Sequence, residues 1–304
     1  MPRYHDLTIK LAERIASGAL TAGASLPSSR TLAATEKTTS TTVVRAYREL
    51  ADAGVILLEA RKAPRVGPGA VFAARALLRE GAVFRLAGSD DPALSMLLAG
   101  AREAVVAVGP SGSYRGLGAL ASGGADGAAL HLRHRSGEYN APFARGILAG
   151  REPVLVHLWR REQGLIVPAG NPRRIETVGD VAHLPVARRA IGTGTRSLFD
   201  RLLREVPVDP ETITGPTVDL HLDVALAVAT GDAEAGLGLR SAATQVGLDF
   251  VPLVWEPFQV ATTQTMSGGL APLLEALADV ANAERIDALG GYDTAGAGEV
   301  TELR

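Results

Sequence analysis

The 304-residue sequence predicts an α/β protein in two parts: a small helical unit closed by a β-hairpin, and a larger domain of strands alternating with helices. Three observations carry this. Apolar residues at helical spacing recur three times before residue 53, and two short extended runs follow around a turn. Gly67-Pro68-Gly69 then interrupts any regular element. From Ala82 onward, short apolar runs alternate with helical stretches, as in a mostly parallel sheet.

In the first part, Leu7, Leu11 and Ile15 place residues 4–17 in an amphipathic helix that Gly18 ends. Pro27 and Ser28 open a second helix running to Glu36, with Leu32 and Ala33 inward. After the polar turn Lys37-Thr38-Thr39, either Thr39 or Ser40 caps a third helix that extends to Asp52, with Val43, Val44, Tyr47 and Leu50 on its apolar face. Residues 55–59 form a strand, 61–64 a turn and 65–66 a returning strand. This is the order of a winged helix-turn-helix over residues 1–67, whose third helix enters the major groove of duplex DNA with its first residues over base edges. Arg30, Ser40, Thr41, Thr42, Arg45, Arg48, Lys62 and Arg65 are the candidate DNA-facing residues, with Arg61 beside them. Arginines suit phosphate or guanine, and hydroxyls suit phosphate. The charge distribution agrees: residues 1–70 carry ten Lys/Arg against six Asp/Glu, whereas the remainder carries 21 against 27. A helical module that only packs on the rest of the chain is the alternative, but such modules rarely combine a basic hairpin with a Ser/Thr-lined helix start.

These residues resemble the GntR family of bacterial regulators. Leu26-Pro27-Ser28-Ser29-Arg30 is similar to its L-P-S-x-R motif, and residues 41–50, Thr-Thr-Val-Val-Arg-Ala-Tyr-Arg-Glu-Leu, to its recognition helix. Lys37 and Lys62-Ala63 stand where the family usually has glycine, and Ser40 and Val44 where many relatives carry arginine.

Residues 68–81 read as a linker with a helix over 70–80, and residues 82–304 as the second domain. There, a strand over 83–87 leads to Asp91, the cap of a helix that starts at Pro92 and extends to about Val106. Residues 107–108, 128–132, 154–159, 164–167 and 249–253 read as further strands, and helices follow residues 113, 195 and 221. Three strand-to-helix junctions, 88–91, 109–113 and 192–195, are rich in Gly, Ser and Thr. Any one of them is an ordinary turn, but helix starts present free N–H groups and partial positive charge, and three converging would form an anion site.

This domain resembles the periplasmic-binding-protein-like domains fused to helix-turn-helix segments in regulators related to molybdate-binding proteins. The similar stretches are residues 88–94, 138–143, 158–165 (Leu-Trp-Arg-Arg-Glu-Gln-Gly-Leu), 192–196 and 290–294. The resemblance implies two Rossmann-like lobes, one of residues 82–160 and 255–304 and the other of 161–254, with a hinge near 160–164, a return near 252–255 and a ligand between them. Relatives bind molybdate or tungstate through hydroxyls and backbone N–H groups, which by motif position carries over to Ser89, Ser113, Thr193 and Thr195, with Gly194 in the same turn. Asp90, Tyr114, Arg115 and Arg196 adjoin these motifs. The expected protein is a homodimeric transcription regulator with a small oxyanion effector, or a small organic acid held by Arg115 or Arg196.

Other classes find little support. The sequence has no cysteine, hence no disulfide, thiol nucleophile or cysteine-bound metal. No lysine follows Lys62, so no pyridoxal phosphate Schiff base can form in the larger domain. Gly109-Pro110-Ser111-Gly112-Ser113 misses G-x-S-x-G at its last position, and His131 and His134 lack H-E-x-x-H context. A hydrolase or a non-sensing DNA-binding protein is therefore less expected, and no catalytic residue, metal or cofactor is assigned. No apolar run approaches the ~18 residues of a membrane span and no signal-peptide core opens the chain, which points to the cytoplasm and away from membranes.

Overall fold

A computed structural model describes residues 3–59, 62–78, 83–101 and 104–303. Arg61 and residues 79–82, at the end of the expected linker helix and the start of the second domain, lie outside these. Two units emerge: Met1–Val83 together with Thr265–Pro272, and Phe84–Gln264 together with Leu273–Arg304.

In the first unit, α1 (Arg3–Ala16), α2 (Ser29–Thr35) and α3 (Ser40–Asp52) precede the antiparallel hairpin of β1 (Ile56–Leu57) and β2 (Arg65–Val66), and α4 (Ala70–Leu78) follows. Ser28 caps α2 by accepting from the Thr31 amide, and Thr39 caps α3 by accepting from the Thr42 amide. Leu7, Leu11, Ile15, Leu32, Val43 and Leu50 close one apolar core. Val44, expected on the apolar face, points outward, one helical step beyond the buried Val43. Lys37 adopts a φ of 50°, the left-handed conformation that a glycine takes without steric cost. Thr265–Pro272 docks here through the buried Arg75, which donates to Ser267 Oγ and to the Ala16 carbonyl, each at 2.8 Å.

The second unit is one curled sheet with helices around it. Its strands are β3 (Phe84–Gly88), β4 (Val105–Ser111), β5 (Gly127–Leu130), β6 (Pro153–Val167), β7 (Val186–Arg189), β8 (Thr217–Val218), β9 (Ala235–Leu239), β10 (Asp249–Thr263), β11 (Tyr292–Asp293) and β12 (Val300–Glu302). Among the described residues the order is β4-β3-β5-β10-β6-β9-β7-β8, with β11 and β12 also on β6. The β3/β4/β5 and β7/β8/β9 groups are parallel, and the antiparallel pair β6–β10 bridges them. The helices are α5 (Pro92–Gly100), α6 (Ser113–Ala121), α7 (Ala141–Ile147), α8 (Gly194–Glu205), α9 (His221–Ala229), α10 (Arg240–Gln245), α11 (Ala271–Ala278), whose first residues belong to the N-terminal unit, and α12 (Val280–Leu289). This is the expected two-part α/β architecture. Among the described residues no helix is long and apolar enough to cross a membrane.

Three local expectations need correction. The helix from Pro92 ends at Gly100, and the β-branched Val105, Val106 and Val108 belong to a strand. The two strands expected over 154–167 are one, because Arg161 and Gln163, read as a break in the apolar pattern, are themselves buried within it. The glycines at 236 and 238 hid β9, which is buried throughout.

Candidate functional site

The candidate DNA-facing residues share the surface made by the starts of α2 and α3 and the hairpin. Arg30, Ser40, Thr41, Arg45, Arg48, Lys62 and Arg65 are exposed, and Thr42 is half-buried. A groove of about 460 Å³ runs between recognition helix and hairpin, lined by Ser28, Val44, Arg48, Leu58 and Lys62 among others. The Thr42 hydroxyl bonds to Thr39 Oγ1 at 2.9 Å and so serves the cap. The Arg45 guanidinium lies 5.2 Å from the centre of the Tyr4 ring, and Lys62 pairs with Glu59. Tyr47 donates to the Pro27 carbonyl at 2.7 Å, tying α3 to the segment that opens α2.

In the second unit, helix starts meet end to end. Ser89, after β3, and Ser113, the first residue of α6, share a buried hydroxyl–hydroxyl hydrogen bond of 2.6 Å. The Tyr114 amide donates to the Gly192 carbonyl at 3.2 Å, which brings the start of α6 to the turn before α8. Asp90 reaches the start of α9, where its Oδ2 accepts from the His221 amide at 3.0 Å; its Oδ1 accepts from Ser111 Oγ at 2.8 Å and Arg189 Nη2 at 2.5 Å. Asp91 caps α5 through the Ala93 and Leu94 amides and accepts from Arg161 Nη1 at 2.7 Å and Tyr292 Oη at 3.1 Å.

The junction residues thus come together, but their neighbours diverge. Thr193 caps α8 and Thr195 is buried beside it. Gly194 runs so close to His131 that a Cβ there would lie 2.6 Å from the imidazole. Tyr114 and Arg115 face solvent, with Arg115 leaning 4.0 Å from Asp219, and Arg196 pairs along its own helix with Asp200 at 2.8 Å.

The cations that do line this region are two the sequence did not single out. Arg161 on β6 and Arg189 on β7 are buried, yet Arg161 Nε and Nη2 and Arg189 Nε and Nη1 have no hydrogen-bond partner. Thr195 Oγ1, Gln163 Oε1 and both ring nitrogens of His221 are likewise buried and unpartnered. Buried polar groups normally find partners, and most of these unpartnered atoms are donors. Glu256 on β10 accepts from Gln163 Nε2 and from Tyr139 Oη and lies 2.9 Å from His131 Nδ1. Burial, then the nearby Arg161 charge, push the His131 imidazole down to about 4 against the pull of Glu256. Burial and Arg189 likewise hold His221 well below its ordinary value. Burial works to raise the Asp90 carboxyl, but the Arg189 charge and the hydrogen bond from the His221 backbone amide outweigh it and hold the group below the usual carboxylate range. Burial raises Asp91, although its oxygens face four donors and no acceptor, the environment of a carboxylate.

The sequence signal for Arg161 was present: four consecutive polar residues, 160–163, between apolar stretches of one strand. Arg189, in the pair Arg188-Arg189 between short apolar stretches, gave no such signal.

Comparison with known proteins agrees with this architecture. The PBP superfamily domain matches residues 96–282, and the bacterial regulatory proteins of the gntR family match residues 3–66. "Uncharacterized protein YvgK" of Bacillus subtilis (strain 168) is 33% identical over 198 residues, covering 62% of this chain. The chain spans 63% of that relative's length. A putative phosphate ABC transporter substrate-binding protein from Clostridium perfringens, solved with phosphate, superposes with a TM-score of 0.52 at 12% identity over 70% of this chain and 99% of its own. A mutant of OxyR from Corynebacterium glutamicum superposes with a TM-score of 0.50 at 13% identity over 95% of both chains. At such identities the likeness is one of fold.

Proposed function

The chain belongs to the PBP superfamily and carries a gntR-family regulatory domain at its N-terminus, and on that premise we propose that it is a cytoplasmic, ligand-responsive transcription regulator with a small oxyanion as effector. The observation that carries this reading is the buried set of unpartnered donors, Arg161, Arg189 and Thr195, beside the Ser89–Ser113 pair where helix starts meet. Molybdate and tungstate head the candidates. They carry two charges and no proton at neutral pH, so they only accept hydrogen bonds, and charge-assisted bonds of this kind contribute about 1.5–3 kcal/mol each.

The N-terminal unit reads operator DNA as a homodimer through α3, with Arg30, Arg45 and Arg48 among the contacts. The effector's preference for one arrangement of the ligand-binding unit sets the size of the response. The chain itself offers a route for it: β10, which carries Glu256, continues directly into Thr265–Pro272, the segment that belongs to the DNA-binding unit. The protein acts by binding, without turnover.

A second reading has its own observation. Gln163 Oε1 is a buried acceptor without a partner, which suits a hydroxy acid whose carboxylate takes the arginines and whose hydroxyl donates to Gln163. Calorimetry with molybdate, tungstate, sulfate, phosphate and a panel of carboxylates separates the two. Tight molybdate or tungstate binding that is lost in a Ser113→Ala, Thr195→Ala double mutant supports the oxyanion; a response to one carboxylate alone transfers the site to an organic acid.

A further inference from the structure

We propose that the effector binds as a dianion on Arg161 and Arg189 and that its arrival draws a proton onto His221. This rests on the sensor reading above and concerns how the same site balances charge. The buried Arg161 and Arg189 already face the carboxylates of Asp91 and Asp90 at 2.7 and 2.5 Å. The Glu256 carboxylate, equally buried, has hydroxyl and amide donors and the neutral His131 as neighbours. Three carboxylates therefore stand against two guanidiniums before any ligand arrives. A dianion would leave three uncompensated negative charges away from water, which is costly unless something else becomes positive.

His221 is placed to do this. It opens α9, its imidazole is buried, and both ring nitrogens lack partners, so a protonated ring has two donors to offer. The groups facing it are Asp90 from the turn after β3, Arg189 from β7, Arg161 from β6 and His131 after β5. On its own helix, Asp223 is spent on the Leu220 amide at 3.0 Å. Burial first, and then the two arginines, keep the imidazole neutral. A dianion offsets their charge and, together with Asp90, sets negative charge against the effect of burial, and this favours the imidazolium. The proton comes from solvent and resides on the ring while the effector is bound.

The test is calorimetry on the full chain with molybdate, and in a second arm succinate, both of fixed charge between pH 7 and 8. Titrations are run in buffers of different ionisation enthalpy. The expected result is a binding heat that varies with buffer in proportion to about one proton taken up, and an affinity falling about tenfold per pH unit. Arg189→Gln is expected to weaken binding at least about tenfold by removing a charge-assisted pair. Because that change also releases Asp90, His221→Asn is the cleaner variant: it leaves the backbone amide that holds Asp90 in place. It should bind more weakly at pH 7, with a heat independent of buffer. Buffer-independent heat in the unmodified chain overturns the proposal while leaving the sensor intact, and so does proton uptake that persists in His221→Asn. Silence toward both dianions and the wider panel overturns the sensor reading itself.

Discussion

Gly194 offers a sharp test of how the start of α8 meets the rest of the site. A Cβ built there lies 2.6 Å from His131 Cε1 and 2.7 Å from Nε2, closer than carbon atoms approach in folded proteins. The imidazole has little room to retreat, since it is buried and its Nδ1 faces Glu256 at 2.9 Å. Backbone conformation is no obstacle, and alanine favours helix over glycine by up to about 1 kcal/mol. Overpacking of this kind costs about 1–3 kcal/mol. The expected net effect of Gly194→Ala is therefore a loss of about 1–2 kcal/mol in urea unfolding, with weaker effector binding as the helix start is displaced. A His131→Ala background removes the obstacle, so in the double mutant the Gly194→Ala penalty should vanish, with a coupling of at least about 1 kcal/mol. Equal stability of Gly194→Ala and the parent chain, or strict additivity in the cycle, would refute the close approach.

Three further outcomes are expected. Arg45→Ala should weaken operator binding by about 1–3 kcal/mol in fluorescence anisotropy if it reads a base, with little change in thermal melting, because only an exposed contact with Tyr4 is lost. Lys37→Gly should raise the stability of the N-terminal unit by up to about 1 kcal/mol, relieving the left-handed φ of 50° without touching the core; a loss would show that the Lys37 side chain matters more than its backbone. Acidification should destabilise the chain: folded His131 titrates near about 4 rather than 6.5, so the folded state binds fewer protons, and stability present above pH 6.5 is lost as pH falls toward 4. The amount is about 3 kcal/mol. Urea midpoints at several pH values check this, and His131→Gln should flatten the dependence.

The elements most legible in the sequence were those marked by local chemistry. Thr39 ahead of α3, and Asp91-Pro92 ahead of α5, announce helix starts through side chains that satisfy exposed amides. Ser89 and Ser113, singled out because they lie in Gly/Ser/Thr-rich strand-to-helix junctions, meet at 2.6 Å. What sequence neighbourhood could not supply was direction. Tyr114 and Arg115 adjoin Ser113, but successive helical residues are turned by about 100°, and both face solvent. Arg161, Arg189 and His221 are far apart in the chain, and only the curling of the β6–β10 pair and the flanking parallel strands brings their unpartnered atoms into one region. The long strand β6 was read as two for a related reason: polar residues in a strand buried along most of its length break the apolar pattern from which such strands are read.

Coupling of an anion to DNA within one chain is tested most directly by the affinity of the full-length protein for operator duplex, selected from genomic fragments, with and without saturating molybdate, tungstate or the carboxylate found by calorimetry. DNA affinity should change at least about fivefold on effector addition, and, because coupling is reciprocal, effector affinity should change by the same factor when operator is present. An effector that binds tightly while DNA affinity stays the same, or a chain that binds no duplex in either condition, would contradict it.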